Sequence, residues 1–363
     1  MRLRVASALL LMALAACGPG RRETAERAMA AAPVSRIAAT VETVVPDNPT
    51  VDADDPVLWA DPSDPARALL IGTDKSIGLY VHDLSGRVLQ FFPAGPLNNV
   101  DMRPFPLAGR PTWLVAAAER DRFGIALWLL DPATRSLSDF GYLPTPRAFG
   151  EPYGFCMGQW DGATYLIANN KEGAVLAFRV NATPAGPRMD LAHQWKLGSQ
   201  TEGCVVDDRT GDLFVGEEDV GIWRMRLAQP AQAPTAIAAV DGQRLVADVE
   251  GLTLMHDGEA TYLLASSQGD SAYAVWRLAG GTPQWVGRFR IGGGQIDPVT
   301  QTDGLDAFSG PIGPFPQGAI AVHDHCDGPT SSDPPASVCD GESKQQNYKI
   351  IDWRDIRRAL DIR

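Results

Sequence analysis

The sequence predicts an all-β fold, a six-bladed β-propeller with four antiparallel strands per blade. Three observations predict it. Short strand pairs follow one another: "ALLIGTD" with "GLYVHDL", "WLVAAAE" with "IALWLLD", "YLIANN" with "AVLAFRV", "LFVGEE" with "GIWRMRL", and "YLLASSQ" with "AYAVWRL". Polar phrases with glycine or proline precede the pairs: "DDPVLW", "NNVDMR", "PYGFCM", "TEGCVV", "VEGLTL" and "TDGLDA". They recur every ~45–54 residues, the period of a propeller blade. After residue 50 no long amphipathic helix interrupts the series, and only the closing "WRDIRRALDI" reads as helical turns.

The N-terminus stands outside the repeat. "MRLRVASALLLMALAAC" has Arg2 and Arg4, an apolar run, then small residues before Cys17. It reads as a secretory signal over 1–16, too short to span and stop in a bilayer. Leu14-Ala15-Ala16-Cys17 has the form of a bacterial lipoprotein processing site, with Cys17 as lipid attachment point. Residues 17–50 read as a tether and 51–363 as the propeller. The expected location is the cell envelope, on the outer membrane, as a monomer held only by its lipid. Export permits disulfides. Cys326 and Cys339 flank "DGPTSSDPPASV", which suggests a local staple and leaves Cys156 with Cys204; spacing alone leaves other connectivities open.

Within the blades, "GIWRMRL" alternates, Trp223, Met225 and Leu227 on one face and Arg224 and Arg226 on the other. Trp59, Trp113, Trp128, Trp223 and Trp276 read as core aromatics, and the glycines after the acids as tight-turn residues. Propeller topology puts the start of each first strand and the end of each second strand on one face of the disc. The sequence places there Asp54, Asp55, Asn98, Asn99, Tyr153, Glu202, Asp248, Glu250 and Asp303. With them come Asp74, Lys75, Glu119, Arg120, Asn170, Lys171, Glu217, Glu218, Gln268 and Asp324.

A net charge of −12 argues against binding nucleic acid through its phosphates. Crowded carboxylates stay ionised only with cations between them. The donors are oxygens, which suits calcium, and the five histidines lack metalloprotease spacing. "HDHC" at 323–326 is a weaker metal candidate. Lys75, Arg120 and Lys171 occupy equivalent places in three consecutive blades, which a calcium store does not require and a polyanion site does.

On these phrases the chain resembles the β-propeller phytases, calcium-dependent phosphatases of myo-inositol hexakisphosphate. The resemblance runs in order over ~50–355 through "DADDPVLW", "GTDKSIGLYVHDLSG", "LNNVDMR", "PYGF", "NKEG", "QTEG", "GEEDVGIW", "DVEGLT", "LASSQGDSAYAVW" and "QTDGLD". It implies phosphate contacts from Lys75, Arg120, Tyr153 and Lys171. It implies a catalytic set of Tyr153, Glu202, Glu217, Asp248 and Glu250. Calcium ligands would be Glu202, Glu217 with Glu218 beside it, Asp248, Glu250 and Gln268. Asp55, the Val100 carbonyl and Asp303 would hold a deeper calcium that stabilises the fold. The implied reaction is direct hydrolysis of phytate, or its calcium complex, by calcium-activated water without a phosphoenzyme.

The chain departs from the family in Ser76, where a second basic residue often follows the lysine, and in the insertion "HDHCDGPTSSDPPASVC". It lacks the Arg-His-Gly phrase of histidine phosphatases, and Arg209 follows Cys204 at five rather than six positions. Two other functions compete. One is a calcium-dependent propeller lactonase or phosphotriesterase, which would not need Lys75, Arg120 and Lys171 together. The other is a non-catalytic envelope propeller, which would not need "EED" and "DVEG".

Overall fold

The computed structural model describes residues 33–44, 46, 51–61, 63–279, 282–328 and 345–363. The signal and lipid-site expectations at 1–17 and the Cys339 half of the second disulfide lie outside them.

Six sheets form the molecule. Blade 1 is Ala53–Trp59, Leu69–Asp74, Gly78–Asp83 and Val88–Phe92; blade 2 is Leu97–Pro104, Trp113–Glu119, Gly124–Asp131 and Ser136–Pro144. Blade 3 is Gly154–Trp160, Ala163–Asn169, Ala174–Thr183 and Gly186–Lys196; blade 4 is Thr201–Asp207, Asp212–Glu217, Gly221–Arg226 and Thr235–Ala239. Blade 5 is Val249–Asp257, Ala260–Ser267, Ala272–Ala279 and Thr282–Gly292. Blade 6 takes Leu305–Phe308, Ala319–Asp324 and Asn347–Asp352 from the end of the chain and Val41–Glu42 from its beginning. Each first strand packs on that of the next blade, and the sixth returns to the first, so the ring is closed. The sheets are a six-bladed β-propeller.

The tether boundary at residue 50 is corrected here. Val41–Glu42 completes blade 6, and Ser35–Ala38 adds a parallel fifth strand to blade 5. Both are short and carry no alternation that marks a strand in sequence; the unpaired edges of blades 5 and 6 select them. A helix over Trp353–Ala359, capped by the Asp352 side chain, lies against Ser35–Ala38 and buries Trp353 and Ile356.

The apolar faces of neighbouring blades make the core. Trp59, Ile71, Val81, Val100 and Val115 pack between blades 1 and 2, each buried side chain contributing ~1.5–3 kcal/mol. Of the glycines after the acids, Gly173 closes a turn with φ of 81°, as expected, whereas Gly203 and Gly251 sit inside inner strands rather than in turns, as does Gly154 after Tyr153. A Cβ on Gly203 would lie 1.9 Å from the Glu250 carbonyl oxygen, and one on Gly154 would lie 2.0 Å from that of Glu202. They let neighbouring inner strands approach backbone to backbone around the axis. Cys156 and Cys204 form a disulfide between the inner strands of blades 3 and 4, with Cα atoms 5.6 Å apart.

Candidate functional site

Two local devices repeat around one rim of the disc. The first is a register shift near the start of the inner strand, between Ala53 and Pro56, Leu97 and Val100, Thr201 and Cys204, and Val249 and Leu252. A bulge turns side chains out of the ladder. These four carry Asp54 with Asp55, Asn98 with Asn99, Glu202 and Glu250. The second device is a backbone hydrogen bond from the residue after the second strand to the residue before the first. Lys75 donates to Asp52, Arg120 to Pro96, Glu218 to Gln200 and Gln268 to Asp248. The preceding residue caps its own turn in blades 1 and 2, where Asp74 accepts from Ser76 N–H at 2.8 Å and Glu119 from Arg122 N–H at 2.8 Å.

That repeat separates Glu217 from Glu218. Glu217 is turned away from the axial acids: Ser199 Oγ donates to its Oε1 at 2.7 Å and Trp223 Nε1 to its Oε2 at 2.7 Å. Glu218 occupies the position equivalent to Lys75 and Arg120, and its carboxylate meets those of Glu202 and Glu250, with ligand atoms all within 4.8 Å of one another. The expectation that Glu217 is the catalytic and metal-ligating acid is therefore corrected: successive residues leaving a strand face opposite ways, and Glu218 is the one turned to the axis.

The acid cluster is buried. Burial, then the neighbouring Asp54 charge, pushes the Glu202 carboxyl up to about 8. Burial, then Glu202, holds Glu250 well above the usual carboxylate range. Asn98 Nδ2 donates to Glu202 Oε1 at 2.8 Å and to the Tyr153 carbonyl at 2.6 Å, and Gln200 Nε2 donates to Glu218 Oε1 at 2.6 Å. Glu250 Oε2 and Asp54 Oδ2 are buried without a hydrogen-bond partner. An all-oxygen donor set with orphaned carboxylate atoms fits a hard divalent cation such as calcium. Asp248 lies two residues before Glu250, buried, with its carbonyl accepting from Gln268 N–H at 3.0 Å.

Cations flank the cluster. Lys75 Nζ sits 2.9 Å from Asp54 Oδ1 and 2.8 Å from Asp303 Oδ2. Burial disfavours its charge, but Asp54 and Asp303 outweigh that and hold its pKa well above that of an ordinary lysine. Gln268 Nε2 donates to the other oxygen of Asp303. Farther round, Arg120 Nε is 2.6 Å from Glu151 Oε1 and Lys171 Nζ is 3.6 Å from Glu151 Oε2. Both cations lie over the Tyr153 ring, 5.6 and 4.3 Å from its centroid. Burial, then Glu202, raises the Tyr153 phenol, so it stays protonated.

Of the deeper trio, Asp55 touches the Val100 backbone, and the Asp303–Gly304 segment lies beside it, Gly304 N–H donating to the Asp54 carbonyl at 3.1 Å. Asp55 Oδ2 accepts from the Val100 N–H at 2.9 Å, inside the axial channel, and burial raises its carboxyl strongly. Asp303 instead presents its carboxylate to Lys75 and Gln268. The "HDHC" phrase forms no metal cluster among the described residues. His323 Nδ1 accepts the Asp303 N–H at 3.0 Å and Nε2 meets Gln346 Oε1 at 3.2 Å, while burial lowers its pKa to about 3. Asp324 belongs to a separate group. With Glu42 and Asp297 it surrounds the fully buried Lys349 ammonium, whose distance to Asp297 Oδ1 is 2.6 Å and to Glu42 Oε1 3.2 Å.

Sequence reasoning missed Glu151, Gln200 and Lys349. Glu151 stands two residues before Tyr153 in "GEPYGF", which marked it as a rim residue. Nothing in sequence marks Lys349, whose partners come from three distant segments.

The sequence matches the family model described as Phytase over residues 1–363. It is 33% identical over 323 residues to the 3-phytase of Bacillus subtilis (strain 168), covering 85% of this chain and 81% of that protein. A solved structure of U3-55K aligns with TM-score 0.48 at 9% identity, covering 86% of this chain and 99% of that one.

Proposed function

The chain belongs to the phytase family, and from that premise we propose that it hydrolyses phytate at the axial rim in a calcium-dependent reaction. The observation that carries this reading is the convergence of Glu202, Glu218 and Glu250 on a rim that also bears Lys75, Arg120 and Lys171.

Glu202, Glu218 and Glu250 would hold calcium, with Asp54, Asp303, Asp248 and Gln268 around them. Bound there, calcium would neutralise the acids, polarise phosphoryl oxygens and lower the pKa of an attacking water. The chain's own groups do the rest. Lys75 brings a point charge to the phosphate undergoing cleavage, held in place by Asp54 and Asp303. Arg120 and Lys171 take a neighbouring phosphate, Arg120 through its planar fork. Tyr153, protonated, offers a hydrogen bond and orders both cations across its ring. No nucleophilic side chain is required.

The test is phosphate release from phytate with calcium titrated from zero. Release that rises with calcium supports the reading; release unaffected by chelator removes the ion. Hydrolysis of a lactone or phosphotriester instead of phytate would favour the competing enzyme. The Cys17 lipid is tested separately: incorporation of labelled fatty acid should be lost in Cys17→Ser.

A further inference from the structure

We propose that Glu151 is an internal stand-in for phosphate: its carboxylate holds Arg120 and Lys171 as a pair, an incoming phosphate displaces it, and it returns as product leaves. The inference rests on the rim being a phosphate site.

Glu151 leaves the loop between blades 2 and 3 just after Gly150, whose φ of 78° turns the chain. One oxygen accepts from Arg120 Nε at 2.6 Å and the other faces Lys171 Nζ at 3.6 Å. Those cations come from the second-strand ends of two different blades. A single carboxylate thus spans them as two oxygens of one phosphate would. The three side chains are 27%, 39% and 28% exposed, so water screens the pairs and they separate at small cost. Lys75 differs, because its partner Asp54 is fully buried.

The exchange has a sign. With Glu151 in place, two positive charges carry one negative charge. A phosphate meets both cations only after Glu151 has given way to it. Glu151 therefore weakens phosphate binding while keeping the cations oriented over Tyr153, and so favours release of product.

The full chain and Glu151→Gln are titrated with inorganic phosphate by calorimetry in sub-millimolar calcium, and product inhibition of phytate hydrolysis is measured alongside. Gln keeps the size and an acceptor for Arg120 but removes the charge. Phosphate should bind and inhibit roughly three- to ten-fold more tightly in Glu151→Gln, with an unchanged melting temperature. The gain should vanish when Lys171→Met is added. Glu151→Asp, which keeps the charge, should stay near the parent. A merely structural Glu151 predicts loosened cations and weaker binding in Glu151→Gln; weaker or unchanged affinity overturns the proposal. If the parent releases no phosphate from phytate, the proposed function falls, while the direct titration still decides the role of Glu151.

Discussion

Glu217 and Glu218 are chain neighbours with opposite duties. Glu217 ties Ser199 to Trp223, whereas Glu218 faces Glu202 and Glu250. Glu218→Gln should lower turnover by ~100-fold or more with little change in stability, because it weakens a ligand of the proposed ion. Glu217→Gln should cost ~1–2 kcal/mol of stability through its weakened hydrogen bonds and leave turnover within a few-fold. Phosphate release and denaturant melts on both variants check this, and equal turnover losses would undo the assignment. The acids also set a pH dependence. Burial pushes the Glu202 carboxyl up to about 8 from its ordinary value near 4.5, so between those values the folded state holds the extra proton. Stability without calcium should therefore fall as pH rises through that window, since the native state binds more protons than the unfolded one. Calcium added near pH 7 should release protons, seen as a binding heat that varies with buffer ionisation enthalpy. No release would place Glu202 outside the ion site.

At the scale of the element, a bulge and a glycine act together. The bulge turns an acid to the axis, and the following glycine lets the next blade close against it. Gly203→Ala should destabilise by several kcal/mol, because the contact it creates is with backbone, and overpacking of that kind is not relieved by a rotamer change. Blade 6 is held differently, by Lys349 among Glu42, Asp297 and Asp324. Burial outweighs the Lys349 charge and pushes Asp324 up to about 7. Lys349→Met should cost ~3–5 kcal/mol at neutral pH, since it strands buried carboxylates. The loss should shrink in acid, where they protonate; denaturant melts at two pH values test it.

At the scale of the molecule, both chain ends meet on blades 5 and 6. Val41–Glu42 fills the edge of blade 6, Ser35–Ala38 that of blade 5, and the terminal helix packs on the latter. A chain beginning at residue 45 should melt several degrees below one beginning at residue 33, because losing the two outer strands exposes sheet edges and apolar surface on blades 5 and 6. Chelator should lower the melting temperature of the whole protein by linkage if calcium binds the native state. A chelator-insensitive melt would show that the ring closes without it.

The blade repeat, and the placing of Glu202, Glu250, Lys75, Arg120 and Lys171 on one rim, were legible in the sequence, because strand alternation and a recurring phrase are local properties of the chain; that Asp324 joins Lys349 instead was not. Even the choice of Glu218 over Glu217 was present, in its equivalence to Lys75 and Arg120, but only once the blades are aligned on their second-strand ends. The rest was decided by tertiary structure. Glu42 meets Lys349 across 307 positions of sequence, and Glu151 reaches cations on two blades. A sequence fixes which groups each strand end offers. Closure of the ring decides which of those groups share one low-dielectric space, and charge–charge energy depends on that shared space rather than on separation along the chain.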